Sequence, residues 1–136
     1  MSTVSRSTAS VTFHGDDLIP DELSRLLGSL PTKSHKKGDK KSLNEPELTW
    51  SSGYWSFKVE DRSPGDLSCQ INDLFKSLTD DSQIWLNLTS RFKARVFIGL
   101  FMDEWNEMID LSPESLMLLA DRNIKVGLDI YGPNEN

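Results

Sequence analysis

The most hydrophobic stretch of the sequence runs from Arg91 to Met102 and reads RFKARVFIGLFM. One face of this stretch is formed by Ala94, Val96, Ile98 and Leu100. Phe97 and Phe101 cover part of the opposite face. A period of two is typical of a β-strand. We therefore predict a strand here and, because it is the most apolar segment, we place it at the centre of a sheet.

Three other segments show a similar one-sided alternation, namely residues 8–14, 54–60 and 124–131. In each of them one set of alternate side chains is apolar, and the other set is mostly polar. This pattern predicts half-buried strands with one face toward the core. Residues 31–52 show little periodicity and predict a long polar loop, with a short strand at residues 48–50 as a further option.

Segments with helical spacing of apolar residues separate these strands. One helix is predicted to begin at Pro20 and end at Gly28, because proline suits the first helical position and glycine the first position beyond the end. A second helix covers residues 70–78, and residues 81–88 could form a further turn or short helix. The last helix is predicted to begin after Ser112, which is a good N-cap.

These elements predict an α+β domain with a single mixed β-sheet of four to six strands and about three helices packed mainly on one face. Their order, βαβαβαβ, relates the fold to the ferredoxin-like class. We expect the domain to span residues 8–132, between a disordered tail at residues 1–7 and a flexible C-terminus at residues 133–136. The chain could be a monomer or a homodimer, and an open sheet face carrying Phe97 and Phe101 would favour the dimer.

Composition restricts the classes of function. The 136 residues carry a net charge of −6, and Cys69 is the single cysteine, which excludes an internal disulfide and fits a reducing compartment. The chain shows no signal peptide and no apolar run long enough to span a bilayer. We therefore expect a cytoplasmic protein without a membrane partner.

Residues that could support catalysis are few. His14 and His35 are the only histidines, and no G-x-S-x-G motif accompanies them. The aspartate pairs match no EF-hand loop, and the glycines form no phosphate-binding motif. We interpret both histidines as ordinary solvated residues and expect no enzyme activity, no cofactor and no metal. An unrecognised chemistry around His35, Asp39 and Asp129 is the remaining enzymatic alternative.

Two kinds of surface could bind a partner. The first is an acidic patch, formed by Asp103, Glu104, Trp105, Glu107 and Asp110. Trp50 and Tyr54 are further predicted partner-binding anchors, and together with the lysine loop they form a second candidate patch. The second is a lysine loop at residues 33–41, which carries a local charge of +4 from Lys33, Lys36, Lys37, Lys40 and Lys41 against one aspartate. The lysine loop could bind an anion, or it could be a solvated loop without a ligand.

The acidic composition favours a basic protein as the partner. We expect a small protein-binding module, in concrete terms an immunity protein that neutralises a basic toxin by covering its active surface. The alternative is a regulatory domain that binds a ligand or nucleic acid through the lysine loop. That loop contains no arginine and no aromatic residue, and the acidic remainder repels polyanions, so we do not expect nucleic acid as the partner.

Four short motifs together resemble the DUF4279 domain family. They are a Gly-x-x-Pro-Thr turn at residues 28–32, Lys-Gly-Asp at 37–39, Gly-Tyr-Trp-Ser at 53–56, and Leu-Asp-Ile-Tyr at 128–131. The resemblance covers residues 8–132. It implies a bacterial or phage cytoplasmic α+β domain, and it supplies no catalytic residues because the family has no established activity.

Overall fold

A computed structural model describes residues 2–133 of the chain. Its elements, in chain order, are β1 (Ser2–Thr3), β2 (Arg6–Gly15), α1 (Pro20–Leu27), β3 (Lys33–His35), β4 (Gly53–Lys58), α2 (Leu67–Lys76), α3 (Ser82–Arg91), β5 (Lys93–Phe101), β6 (Glu107–Met108), α4 (Pro113–Asp121) and β7 (Lys125–Tyr131). No helix among these residues is long and apolar enough to cross a membrane.

The main sheet has five strands in the order β3-β4-β2-β5-β7. β5 and β7 run parallel, and the other neighbouring pairs are antiparallel. A small parallel sheet joins β1 to β6. The predicted α+β class and mixed sheet are confirmed, although the described residues contain four helices rather than three. β2 lies in the middle of the sheet with β5 beside it, and a ferredoxin-like order is not confirmed.

Local sequence signals mark both ends of α1 and the start of α4 where they were predicted, whereas α2 begins at Leu67, three residues before the predicted start. α1 begins at Pro20 and is followed by Gly28 in the left-handed conformation, with φ of 80°. The Ser112 hydroxyl accepts a hydrogen bond from the Ser115 amide at the start of α4. Asp81 caps α3 in the same way through the Gln83 amide, which makes the optional short helix a regular one.

All four helices pack on one face of the sheet. Phe13, Trp55 and Ile98 project from three neighbouring strands into this layer and are fully buried. Trp85 of α3 packs against Phe13 with 6.2 Å between ring centroids. Burial of each such side chain contributes roughly 1.5–3 kcal/mol, so this layer supplies most of the driving force for folding.

Residues 2–7 belong to the fold, so the prediction of a disordered tail is wrong for them. The main chain of Val4 is held on both sides, since its amide donates to the Met108 carbonyl at 3.0 Å and its carbonyl accepts from the Gly65 amide at 2.8 Å. The Val4 side chain is 3% exposed. Burial of this one apolar residue orders a segment that is polar in composition. Met1 and residues 134–136 of the expected flexible C-terminus lie outside the described residues.

The apolar face of β7 is less buried than its alternation predicted. Leu128 and Ile130 were expected to point into the core, but they are 54% and 55% exposed. β7 pairs only with β5 and forms one edge of the main sheet. The helical layer therefore covers the centre of the sheet and leaves this edge open.

Candidate functional site

The face of the sheet opposite the helices carries the polar members of each alternating pair. Tyr54 of β4 pairs with His14 of β2, which in turn pairs with Lys93 of β5. His35 of β3 pairs with Tyr54 from the other side. Four strands thus bring two histidines, a tyrosine and a lysine into one row on this open face.

The aromatic side chains at this corner form a continuous stack. The rings of His35 and Trp50 lie 3.9 Å apart at an interplanar angle of 7°, and His35 lies 5.5 Å from Tyr54 at 21°. The Tyr54 ring then lies 4.7 Å from that of His14. The lysine loop joins the stack where the Lys41 ammonium sits over the Trp50 ring, 4.8 Å from its centroid.

Main-chain hydrogen bonds hold Trp50 in this position. The Gly38 amide donates to the Trp50 carbonyl at 2.8 Å, and the Trp50 amide donates to the Asp39 carbonyl at 2.9 Å. One step further, the Lys41 amide donates to the Leu48 carbonyl. The long loop predicted at residues 31–52 is therefore an irregular hairpin whose two arms pair, and its base contains β3.

Two glycines of the hairpin are required by its geometry. Gly38 has φ of 90°, a conformation that glycine adopts without strain. At Gly53 an added Cβ would come within 2.7 Å of the Leu18 carbonyl oxygen and 2.8 Å of the Gly15 carbonyl oxygen. The chain between β2 and α1 therefore lies so close to β4 that only a residue without a side chain fits at position 53.

The hairpin and the open face enclose a cleft of about 940 Å³. Three of the five lysines of the lysine loop line it, namely Lys33, Lys40 and Lys41. Trp50 and Tyr54, which were predicted as partner-binding residues, line the same cleft. The other two lysines of the loop do not, since Lys37 pairs with Asp16 at 3.8 Å and Lys36 lies in a neighbouring depression.

The three lysines that line the cleft lack acidic partners in the described part of the chain, as do Lys93 and Arg95 on the adjoining part of the open face. Arg95 lines a neighbouring depression that shares His14 and Tyr54 with the cleft. Within residues 2–133, no carboxylate forms an ion pair with Lys33, Lys40, Lys41, Lys93 or Arg95. Asp39, which also lines the cleft, uses its carboxylate to accept a hydrogen bond from the Lys36 amide at 2.7 Å. The surplus positive charge lies on one face of a protein whose net charge is −6.

The environment of both histidines favours their neutral form. Burial lowers the pKa of His14 below its ordinary value of 6.5, and the nearby charges of Arg95, His35 and Lys93 lower it further. Burial also lowers the pKa of His35. A hydrogen bond with the Ser52 main chain and the negative charge of Asp39 act in the opposite direction and raise it in part. His35 Nδ1 is buried and forms no hydrogen bond with any residue from 2 to 133. The negative charge of an anion in the cleft would raise the pKa of both histidines and so favour their protonated form.

The acidic patch is exposed but divided. Asp103 and Glu104 are exposed and Trp105 is 73% exposed, with its ring against Gly132. Glu107 turns back, and its carboxylate accepts a hydrogen bond from the Asp103 amide at 2.9 Å. Asp110 is placed elsewhere and lines a small depression with Thr3 and Asp66. The segment pairs with β1 through β6.

The enzymatic alternative does not assemble. His35 and Asp39 line the cleft at the β3 edge, whereas Asp129 belongs to β7 at the opposite edge of the sheet. The Asp129 carboxylate accepts a hydrogen bond from the Tyr131 hydroxyl at 2.6 Å. Among residues 2–133, no three His, Cys, Asp or Glu side chains cluster as metal ligands would.

Four residues at or beside the cleft were not predicted to bind a partner: His14, His35, Lys93 and Arg95. The two histidines were interpreted as ordinary solvated residues, since His14 lies on the polar face of a strand end and His35 lies in the lysine loop. One signal was available, since His14, Lys93 and Arg95 all occupy polar positions of predicted alternating strands. Only the strand order shows that these positions meet.

Comparison with known families places the whole fold in one of them. The family model for DUF4279, a domain of unknown function, matches residues 5–133. Comparisons with curated proteins and with solved structures found no match. The matched region contains β2 to β7, the hairpin and the cleft, and the chain therefore belongs to the DUF4279 family.

Proposed function

We propose that this protein is a binding module for a small anionic ligand, which it holds in the cleft between the hairpin and the open face of the sheet. The observation that carries the proposal is that the three lysines lining the cleft, Lys33, Lys40 and Lys41, form no ion pair with a carboxylate among residues 2–133. Lys93 and Arg95 add unpaired positive charge beside His14 on the same face. This is the function expected for the lysine loop, with the site enlarged by β2 and β5.

The charge distribution favours a small anion over a polyanion. Exposed charges are screened within about 8–10 Å at physiological ionic strength, so a compact anion in the cleft responds to the lysines and the arginine beside it. A long nucleic acid would also extend over the acidic remainder of a chain with net charge −6. Phosphate and carboxylate groups are therefore the chemical class that fits this site best.

The aromatic stack supports the same choice. His35 covers one face of the Trp50 indole, the Lys41 ammonium lies over the ring, and Tyr54 covers His35 from the other side. Because these rings contact each other, they offer a ligand their edges rather than free faces. Base stacking, on which proteins that bind single-stranded nucleic acid rely, has little room here.

The test is a calorimetric titration with sulfate and with inorganic phosphate at low ionic strength. We expect the charge reversals Arg95→Glu and Lys33→Glu each to weaken binding by roughly tenfold or more, since 1.4 kcal/mol corresponds to a factor of ten. Lys76→Glu is the matched control, because Lys76 is an exposed lysine in the last turn of α2 on the helical side. Equal affinities of the Arg95→Glu and Lys76→Glu variants would contradict the proposal.

A second candidate function is the neutralisation of a basic protein toxin in a bacterial cytoplasm. It is favoured by Trp105, which is 73% exposed beside Asp103 and Glu104, as an interface anchor with surrounding charge would be. The test is co-purification from the native host with wild-type protein and with the Glu104→Lys and Trp105→Ala variants. Recovery of the same basic partner by all three would exclude the acidic patch as its binding surface.

A further inference from the structure

The outer edge of β7 carries main-chain groups that no strand among residues 2–133 satisfies. The Met102 amide donates to the Tyr131 carbonyl at 3.0 Å, which shows that the peptide groups of Tyr131 are directed toward β5. In a parallel strand, the residues that bond to a given neighbour alternate along the chain. Val126, Leu128 and Ile130 therefore direct their N–H and C=O groups away from the sheet.

This edge has few of the devices that usually prevent strands from pairing, since only Lys125 and Asp129 place charge on it. β7 is seven residues long, contains no proline, and keeps an unbroken register with β5 from Lys125 to Tyr131. Edge strands of stable monomers are commonly short, bulged, covered or interrupted by proline. The opposite edge, β3, has only three residues and follows Pro31. The two edges of the sheet thus differ in their capacity to accept another strand.

Apolar side chains accompany the free edge. Leu128 is 54% exposed and Ile130 is 55% exposed on the side of β7 that faces the helical layer. α4, which packs beside β7, exposes Leu116 to 50% and Met117 to 63%. Leu128 and Ile130 are therefore available to a partner that adds a strand here, and the neighbouring helix carries further exposed apolar surface.

We propose that β7 pairs with β7 of a second copy of this chain, antiparallel and about a twofold axis at Leu128, so that two five-stranded sheets become one sheet of ten strands. Leu128 is the middle residue of the strand, and this register aligns both strands over their full length. Leu128 then lies opposite its own counterpart, and Val126 lies opposite Ile130 of the second copy. All three residues with outward main-chain groups are paired.

Charge complementarity favours a second copy as the occupant. On the open face the same register places Lys125 opposite Tyr131 of the second copy and diagonal to its Asp129. The twofold axis creates this Lys–Asp neighbour pair twice, and diagonal positions on one face are within reach of long side chains. The interface lies at the edge opposite β3, so the cleft stays accessible in the dimer and the two proposals are independent.

Site-directed cross-linking tests the register. In a Cys69→Ser background, Leu128→Cys places two thiols directly opposite each other across the twofold axis. Hydrogen-bonded residues of an antiparallel pair have Cα atoms about 5.5 Å apart, which a disulfide can bridge. We expect covalent dimers on mild oxidation. The matched control is Ile130→Cys in the same background, because its thiol faces Val126 of the second copy and should yield little cross-link.

The oligomeric state tests the interface itself. Light scattering after size exclusion should give twice the chain mass of 15.4 kDa for the wild-type protein. The Leu128→Lys/Ile130→Lys variant should give the single mass with unchanged far-UV circular dichroism, since both residues are already exposed. A wild-type protein that stays monomeric up to about 1 mM, the range of very weak association, would overturn the proposal. Efficient cross-linking through Ile130→Cys but not Leu128→Cys would overturn it as well.

Discussion

The imidazole of His35 lies 3.9 Å from the indole of Trp50, centroid to centroid, with the two rings 7° from parallel. His35 is the last residue of β3, and Trp50 is the last residue of the returning arm of the hairpin. Their contact therefore holds the two arms together beside the open face of the sheet. The same contact places Lys40 and Lys41 along the cleft that His14 and Arg95 approach from β2 and β5. The contact between His35 and Trp50 therefore holds the hairpin in the position that forms one wall of the cleft.

Removal of the indole should loosen the hairpin without unfolding the domain. For Trp50→Ala we expect faster amide hydrogen exchange at Gly38 and Lys41, whose amides bond across the hairpin. The free energy of unfolding should fall by only about 1 kcal/mol, because Trp50 is 36% exposed and its partners are at the surface.

Exchange measured by mass spectrometry or NMR checks this expectation. Trp105→Ala is the control, since it removes an indole that lies outside the hairpin. Protection at Gly38 that survives Trp50→Ala would show that the main-chain bonds hold the hairpin without the stack.

Sulfate affinity should rise as the pH falls from about 7.5 to about 5.5, because histidine titrates in this range. The pKa values of His14 and His35 are lowered in the free protein, and a bound anion raises the pKa of any histidine beside it. Binding is therefore linked to proton uptake. Sulfate is the suitable probe because its own charge is constant over this range.

The groups that face the histidines define the control. Arg95, Lys93 and the second histidine act on His14, and Asp39 and Lys41 act on His35. The His14→Gln/His35→Gln variant keeps the lysines and the arginine, so its sulfate affinity should depend much less on pH. Parallel pH profiles for the variant and the wild type, measured by calorimetry, would contradict this linkage.

The same pKa shifts affect stability in the absence of ligand. Below the ordinary histidine pKa of 6.5, the unfolded chain binds protons that the folded chain takes up only at lower pH. The unfolded state then holds more protons than the folded state. The contribution of both neutral histidines to the free energy of unfolding is therefore fully present above pH 6.5 and is lost as the pH falls below it. In urea denaturation, the wild type should therefore lose stability relative to the His14→Gln/His35→Gln variant as the pH falls below 6.5.

Gly53→Ala should be strongly destabilising. The new Cβ would meet the Leu18 and Gly15 carbonyl oxygens at 2.7 and 2.8 Å, and neither main-chain atom can move without displacing the turn after β2. Overpacking of this kind typically costs about 1–3 kcal/mol. Gly28→Ala is the comparison, because its φ of 80° imposes backbone strain of only about 1–2 kcal/mol with nothing within 4 Å of the new Cβ.

Urea denaturation of the two variants separates steric overlap from backbone strain. We expect the larger loss for Gly53→Ala, together with perturbed NMR signals for Leu18. A Gly53→Ala variant as stable as the wild type would show that the β2–α1 connection can move away from β4.

Gln70→Leu should destabilise the domain by about 2–4 kcal/mol although it adds an apolar group to α2. The Gln70 side chain is fully buried, and its amide nitrogen donates to the Ser7 and Glu60 carbonyls at 2.9 and 3.0 Å. Its oxygen accepts from the Ser7 hydroxyl at 2.6 Å. Leucine would remove all three bonds: the Ser7 hydroxyl would lose its acceptor and the Glu60 carbonyl its donor, although the Ser7 carbonyl and hydroxyl would still accept from the Arg62 and Asp66 amides. Chemical denaturation checks the loss against Gln83→Leu, an exposed glutamine at the start of α3.

Local patterns predicted most elements because they depend on neighbours in the sequence. Alternation identified the strands around Phe13, Trp55 and Val96, and Pro20 with Gly28 marked both ends of α1. These signals are short-range: a strand residue points to the face opposite its neighbour, and a capping residue acts within one turn. They also separated the buried side of β2 from the side that carries His14.

The neighbours of each strand depend on contacts between distant parts of the chain, and those were decided by the tertiary structure. Alternation predicted Leu128 to be as buried as Val96, but β7 lies at the edge of the sheet, where α4 covers it only in part, and Leu128 is 54% exposed. Likewise, no spacing in the sequence relates His14, His35 and Trp50, which meet because β4 lies between β2 and β3. The chain pattern determines which face of a strand a residue occupies. Only the packing of all strands together determines what lies next to it.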